Sequence, residues 1–157
     1  SASAIYHFSN RAPKVIHHLR KLDHSMIYVL IAGTYTPILL TYLDPPKGTA
    51  FTAAMWIIAA AGILMKLFWF HAPRWLSTSL YLLMGWAILA DVSIFSRMSS
   101  GALWLLVLGG ICYTAGGVIY GIKKPNISAK LGFHELFHLF VLGGSLFHYL
   151  LVLFYIA

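Results

Sequence analysis

Two histidines near the C-terminal end of the sequence have the spacing of a metal-binding pair. His134 and His138 are four residues apart in the segment GFHELFH, residues 132–138. On a helix they share one face, with Cβ atoms about 5–6 Å apart, a separation that one metal ion can bridge. The alternative is a pair of interfacial histidines that bind no ligand. Because ionisable groups at membrane depth are costly and tend to be retained for a use, we predict a metal site.

The composition is that of a membrane protein. Of 157 residues, 60% are hydrophobic and 10% are charged, with a mean hydropathy of +0.80. Soluble domains carry about 25% charged residues. The net charge of +7 comes from basic residues that separate apolar runs and form no continuous patch, which favours contact with anionic lipid headgroups over nucleic acid. The single cysteine, Cys112, excludes a disulfide within the chain.

The apolar runs predict an all-α, polytopic transmembrane helix bundle. Each is long enough for the roughly 20 helical residues that cross a bilayer, and each is too long and too uniform for a barrel strand. Residues 1–7 resemble the end of a preceding helix, so we expect five full helices, the end of a sixth, and an N-terminally truncated chain. The predicted spans are Leu22–Leu43, Thr49–Phe70, Trp75–Phe95, Ala102–Ile122 and Phe133–Ile156.

Short connections and the distribution of lysine and arginine predict one antiparallel domain, residues 1–157, with a defined orientation. Only Lys47 and Arg97 lie on one side. We therefore expect the opposite, basic side to face the cytoplasm and the C-terminus to face outwards. The basic side carries Arg11, Lys14, Arg20, Lys21, Arg74, Lys123, Lys124 and Lys130.

This orientation brings ligand-type residues from three helices to one depth. His7, Asp23 and the pair His134 and His138 all fall within roughly two helical turns of the cytoplasmic surface at 1.5 Å per residue. Three imidazoles and a water form an open catalytic zinc site, in which a carboxylate can hold the water and take its proton. Asp23 suits that role, and an N-terminal helix cap is its alternative interpretation. Ser3, one turn before His7, could bond a ligand or its own helix carbonyl.

The remaining polar residues have simpler interpretations. His17 and His18 lie in the predicted basic loop and are expected near headgroups. His148 lies about 15 Å deeper along the last helix than His138, so we expect a hydrogen-bonded buried histidine and not a fourth ligand. Asp91, inside a predicted span, could line a polar path or reach the membrane interface.

Three other metal chemistries fit less well. His134, Glu135 and His138 match H-E-x-x-H, the zinc protease pattern in which the glutamate is the general base. The extended pattern fails, however, because Val141 and Gly144 stand where glycine and a third histidine belong. Four scattered carboxylates exclude a di-iron carboxylate site. Haem suits histidines on different helices better than a pair one turn apart.

Four motifs carry a resemblance to a known family. They are SAIYH at residues 3–7, LDH at 22–24, AGTYTP at 32–37 and HELFHLF at 134–140. In this order they resemble the bacterial hemolysin III proteins, the prokaryotic branch of the progestin and adipoQ receptor family. The resemblance implies a seven-helix membrane protein with its N-terminus inside. It also implies that His7, His134 and His138 are zinc ligands and that Asp23 lies near the metal-bound water.

We therefore expect a zinc-dependent hydrolase of lipid amides or esters in the bacterial cytoplasmic membrane. Zn²⁺ would be held by His7, His134 and His138 towards the cytoplasmic leaflet, with Asp23 and Ser3 as catalytic residues. Membrane lipids are the expected partners, and ceramide-like amides are the substrate class that the wider family implies. The alternative function is non-enzymatic: a hemolysin or pore-forming protein, or a sensor of the membrane state with a structural zinc.

Overall fold

Helices form the part of the chain that the structure describes. The structure, a computed structural model, describes residues 13–69, 73–127 and 131–157. We number the helices in chain order, and a 3₁₀ helix, Ala87–Ala90, lies between α3 and α4. The α-helices are α1 (Pro13–Tyr42), α2 (Pro45–Phe68), α3 (Arg74–Trp86), α4 (Ser93–Arg97), α5 (Ser100–Ile122) and α6 (Phe133–Tyr155).

The predicted all-α transmembrane bundle is confirmed. Within the described residues, four helical segments are long and apolar enough to cross a membrane: Ser25–Tyr42, Pro45–Phe68, Ser100–Ile122 and Phe133–Tyr155. A shorter apolar segment, Trp75–Ala90, lies between the second and third of these. The chain is therefore a multi-pass membrane protein.

Two helices begin at least four residues earlier than predicted, both at proline. The first span was expected from Leu22, but α1 begins at Pro13, so the segment that we interpreted as a basic loop is helical from that residue onwards. The second was expected from Thr49, but α2 begins at Pro45. Proline is favoured at the first helical position, where its fixed φ fits and its missing N–H costs nothing. The first turn of each helix is polar. The apolar run that hydropathy detects therefore begins several residues after the helix does.

The third span is not the single helix that its apolar run predicted. The α-helix ends at Trp86, tightens into the 3₁₀ helix, and stops at Asp91 before the short α4. The Asp91 carboxylate accepts hydrogen bonds from the Ser93 N–H at 3.1 Å and the Ser93 hydroxyl at 2.5 Å. Such a local bond competes with the helical pattern and explains why the helix stops here. Near the end of α3, the Gly85 carbonyl accepts a hydrogen bond from the Tyr35 hydroxyl of α1.

Helices α5 and α6 form the most extensive helix pair, and glycines on α5 allow it. A Cβ at Gly109 would lie 2.5 Å from the His148 Nε2, and one at Gly116 would lie 3.1 Å from the Phe140 Cβ. In return, a Cβ on α6 at Gly144 would meet the Tyr113 ring at 2.8 Å. The missing side chains at these three positions let the two helices pack closely.

Two ion pairs lie at the end of the bundle that carries α4. Arg97 donates two hydrogen bonds to Asp44, at 2.8 and 2.9 Å, and the Lys47 Nζ lies 3.3 Å from the Asp91 carboxylate. The bonds from Arg97 hold the pKa of Asp44 below its usual range. Those from Ser93, with Lys47 nearby, lower the pKa of Asp91. The location of Asp91 is now clear: it lies in a loop, outside the spans and paired with a lysine.

Candidate metal centre

Three side chains from two helices converge at the end of the bundle opposite α4. We call this the metal end. Asp23 of α1 and His134 and His138 of α6 each offer a ligand atom, and these atoms lie within 4.8 Å of one another. The Nε2 atoms of the two histidines are 3.2 Å apart, and the His138 Nε2 lies 4.0 Å from the Asp23 Oδ2. Asp23 and His138 are distant in sequence, so the fold creates this group.

The first turns of α6 position both histidines. Asn126 accepts a hydrogen bond from the Phe133 N–H, and Glu135 accepts one from the Gly132 N–H, each at 3.0 Å. These bonds satisfy orphan donors at the helix start and fix the direction in which α6 enters the bundle. Glu135 is exposed and is used as a helix cap. This use gives the glutamate of the H-E-x-x-H pattern a structural role and weakens the protease interpretation.

Asp23 lies inside α1, not at its start. The helix begins ten residues earlier, so the N-terminal cap interpretation of this aspartate is wrong. The residue is only 6% exposed. A carboxylate buried in this way requires polar or charged partners, and the nearby imidazoles supply them. Helix capping therefore does not explain Asp23, and its burial beside His138 supports its assignment to the candidate metal centre.

Aromatic residues that the sequence alone did not indicate lie near the site. The Tyr120 ring of α5 lies 4.9 Å from the Phe137 ring and 6.3 Å from the His134 ring, centre to centre. Tyr81 of α3 lies within electrostatic range of both Asp23 and Tyr120. The sequence held one clue to Tyr120, its depth in the membrane. It lies two residues before the end of α5, at the metal end. These residues bring α3 and α5 to the same site.

The other predicted site residues have different outcomes. Ser3 and His7 lie outside the described residues, so their roles remain predictions. His148 is 4% exposed, and its Nε2 lies 3.4 Å from the Leu106 carbonyl oxygen. The prediction of a buried, hydrogen-bonded histidine away from the ligands is confirmed.

A groove leads away from the metal end between α1 and α6. It has a volume of about 1150 Å³ and runs from Asp23 and His138, past Thr34 and Ser145, to His148. Most of its other lining residues are apolar. An adjoining cavity of about 140 Å³ extends further towards α3 and α5. The groove has the volume and lining that an extended apolar molecule requires.

The distances among the three ligand atoms fit a metal ion. Nitrogen ligands about 2.0–2.1 Å from a tetrahedral zinc lie roughly 3.3 Å apart, close to the separation of the two Nε2 atoms. The longer distance from Asp23 to His138 suits a carboxylate that holds a water beside the ion. Imidazole is a common ligand of zinc and also of iron, copper and nickel. The donor set is therefore compatible with zinc.

Comparisons with known proteins agree with the motifs. Hemolysin-3 of Bacillus cereus is 40% identical over 145 residues, which are 92% of this chain and 64% of that protein. The Hemolysin-3 homolog of Bacillus subtilis (strain 168) is 40% identical over 156 residues, 99% of this chain and 70% of that protein. The chain thus spans about two thirds of the length of these relatives. No solved structure matches it. A family model described as "Haemolysin-III related" matches residues 1–149, and the chain belongs to this family.

Proposed function

We propose that this protein is a zinc-dependent hydrolase of lipid amides or esters. The observation that carries the proposal is the convergence of Asp23, His134 and His138 within 4.8 Å at the head of an apolar groove. His7 would supply the third imidazole. Bound there, zinc would lower the pKa of a water and polarise a carbonyl.

The residues of the chain have separate tasks in this reaction. The three histidines would hold the ion with neutral nitrogens. Asp23 would orient the attacking water, accept its proton and pass that proton to the departing nitrogen or oxygen, a role for which its distance of 4.0 Å from the His138 Nε2 leaves room. The phenol of Tyr120 and the ring of Phe137 pack beside the histidines and limit bulk water. Ser3 would bond the carbonyl-bearing group of the substrate.

The groove between α1 and α6 would hold the substrate. Apolar residues such as Leu30 and Leu142 would contact its hydrocarbon chain, while its amide or ester bond would lie at Asp23 and His138. Ceramide-like amides are the first substrates to test. The metal end would face the cytoplasm of a bacterial cell, in line with the distribution of lysine and arginine.

Metal content and turnover of purified variants test this proposal. We expect about one zinc per chain in the wild type, none in His138→Ala, and nearly the full amount in Asp23→Asn. Turnover of a lipid amide or ester should fall by about 10²–10⁴-fold in Asp23→Asn, because the proton acceptor is lost. Elemental mass spectrometry and lipid product analysis provide the two measurements. Folded wild type without metal, or with iron as its metal, would contradict the zinc proposal.

Glu135→Gln is the matched control. A glutamine keeps an oxygen that can accept the bond from the Gly132 N–H, so the start of α6 should be preserved. We expect this variant to retain both metal and turnover. Retained metal with lost turnover would point instead to the glutamate as general base, as in a zinc protease.

A non-enzymatic role is the second candidate, and the printed names of the two relatives favour it. They are named Hemolysin-3 and Hemolysin-3 homolog, and lysis is the activity that these names suggest for a test. In that role the metal would clamp α1 to α6 without chemistry. Dye release from liposomes separates the two functions: leakage that Asp23→Asn does not change, without lipid turnover, would support the non-enzymatic function.

A further inference from the structure

Within the described part of the chain, three buried hydroxyl groups on α1 and the first turn of α3 lack a well-formed hydrogen bond. They are the hydroxyls of Ser25, Tyr28 and Ser77. The residues are 4%, 0% and 1% exposed, respectively. A buried polar group without a partner costs free energy, so each of these groups needs an explanation.

Tyr28 lies against Tyr81 and Ser77, and Ser25 shares a helix face with Tyr28. Ser25 and Tyr28 are three residues apart on α1, and Ser77 and Tyr81 are four apart on α3, so each pair shares a helix face. The rings of Tyr28 and Tyr81 lie 4.6 Å apart. The Tyr28 hydroxyl faces the hydroxyls of Tyr81 and Ser77, but without well-formed hydrogen bonds. We call Ser25, Tyr28, Ser77 and Tyr81 the hydroxyl cluster.

Tyr28 is the member that its own helix cannot satisfy. A serine can rotate to bond the carbonyl one turn back, whereas a tyrosine phenol ends too far from its own backbone. Gly62 of α2 also restricts the ring, since a Cβ at that position would lie 2.5 Å from it. A buried tyrosine hydroxyl usually has a partner. A hydrogen-bond partner for the Tyr28 hydroxyl must therefore lie among the hydroxyls of the cluster.

The hydroxyl cluster extends from the metal centre towards the surface. Tyr81 lies within electrostatic range of Asp23. Ser77 is three residues after Arg74, the first residue of α3, and so about 4.5 Å along the axis from the metal end of that helix. Polar groups are thus present between the region of Asp23 and the end of α3, where most neighbouring residues are apolar.

We propose that the hydroxyl cluster binds internal water molecules and supplies water to the metal centre between α1 and α3. Buried water requires two to four polar partners, and the four hydroxyls provide them. Hydrolysis consumes one water for each bond cleaved, and a site surrounded by apolar residues needs a polar route for it. The supply role rests on the proposed hydrolase function, whereas the binding of water does not.

Hydroxyl-radical footprinting of the full chain in ¹⁸O-labelled water tests the binding of water. X-ray pulses generate radicals from bound water, which oxidise the side chains beside it. Met55 and Met84 are dry internal references, because both are buried and methionine is readily oxidised. We expect ¹⁸O incorporation at Tyr28 several-fold faster than at either methionine. Incorporation at Tyr28 no faster than at Met55 would overturn the proposal.

Removing hydroxyls identifies the water-binding groups. The double variant Ser25→Ala/Ser77→Ala should lower oxidation of Tyr28 several-fold. The control Ser93→Ala/Ser96→Ala, which changes exposed serines at the other end, should not. Equal oxidation of Tyr28 in both double variants would overturn the assignment of water to this cluster.

Turnover then tests the supply role. In Ser25→Ala/Ser77→Ala, kcat should fall several-fold while metal content stays constant, and an unchanged kcat would overturn the supply role. A wild type that shows oxidised Tyr28 but cleaves no lipid would refute the hydrolase proposal alone and would still support the internal water site. Cleavage with a dry Tyr28 would refute the water site alone.

Discussion

Gly109 and His148 show how a single glycine determines the approach of two helices. The imidazole lies in the space that any larger residue at position 109 would need, with its Nε2 2.5 Å from the site of a Cβ. Both residues are buried. The close contact of α5 with α6 therefore depends on the missing side chain.

Gly109→Ala should destabilise the protein by about 1–3 kcal/mol, because α5 and α6 must separate or His148 must leave its position. Gly110→Ala is the matched control. A Cβ there meets no atom within 4 Å, and alanine is the better helix former by about 0.8–1.0 kcal/mol. Thermal unfolding in detergent measures both. Equal melting temperatures for the two variants would contradict the close packing of His148 on α5.

Single residues were predictable where the signal lay within one helix. The spacing of His134 and His138 was sufficient to bring their Nε2 atoms within 3.2 Å. Asp23 was selected by depth, but its burial among imidazoles depends on packing between helices far apart in sequence. The contact of Tyr120 with His134 depends on such packing too. A sequence gives the depth of a residue on its helix, but not the rotation of that helix about its axis.

Among the helices, the interrupted third span is the feature that hydropathy could not predict. Its apolar run continues through residues 87–90, yet the backbone there is 3₁₀. Two polar contacts flank this segment: the Ser93 N–H donates to the Asp91 carboxylate, and the Tyr35 hydroxyl of a neighbouring helix donates to the Gly85 carbonyl. Apolar length predicted four of the five expected spans as single helices, whereas the backbone along the third depended on individual hydrogen bonds. The early helix starts at Pro13 and Pro45 were missed for a related reason, since hydropathy does not register proline at the first helical position.

Tyr35→Phe should lower stability by about 1 kcal/mol, because the bond to the Gly85 carbonyl is lost while the ring remains. Tyr35 is 4% exposed, so water should not replace the missing donor. Tyr149→Phe, which changes a tyrosine that is 60% exposed, is the control and should be neutral. Chemical unfolding in mixed micelles gives the difference. If both variants are equally stable, the hydroxyl of Tyr35 does not support the interrupted span.

For the whole molecule, the distribution of charge predicts an orientation that cysteine labelling can test. In a Cys112→Ser background, Lys124→Cys and Ser96→Cys place one thiol at each end of the bundle, both at exposed positions. We expect a membrane-impermeant maleimide to label Ser96→Cys in intact cells and Lys124→Cys only after the membrane is opened, because the more basic side faces the cytoplasm. The reverse pattern would contradict the predicted orientation.

The ion pairs opposite the metal end have an electrical consequence. The side chains of Asp44, Lys47, Asp91 and Arg97 carry two positive and two negative charges, and each cation is bonded to an anion. Because the lowered pKa values of both aspartates keep them ionised, this balance persists as pH falls and is lost only below their ordinary range near pH 4. A membrane potential does work of about 2.3 kcal/mol per elementary charge per 100 mV. Because these four charges sum to zero, the membrane potential does almost no net work on them. The voltage therefore exerts almost no net force on this end of the protein through these side chains.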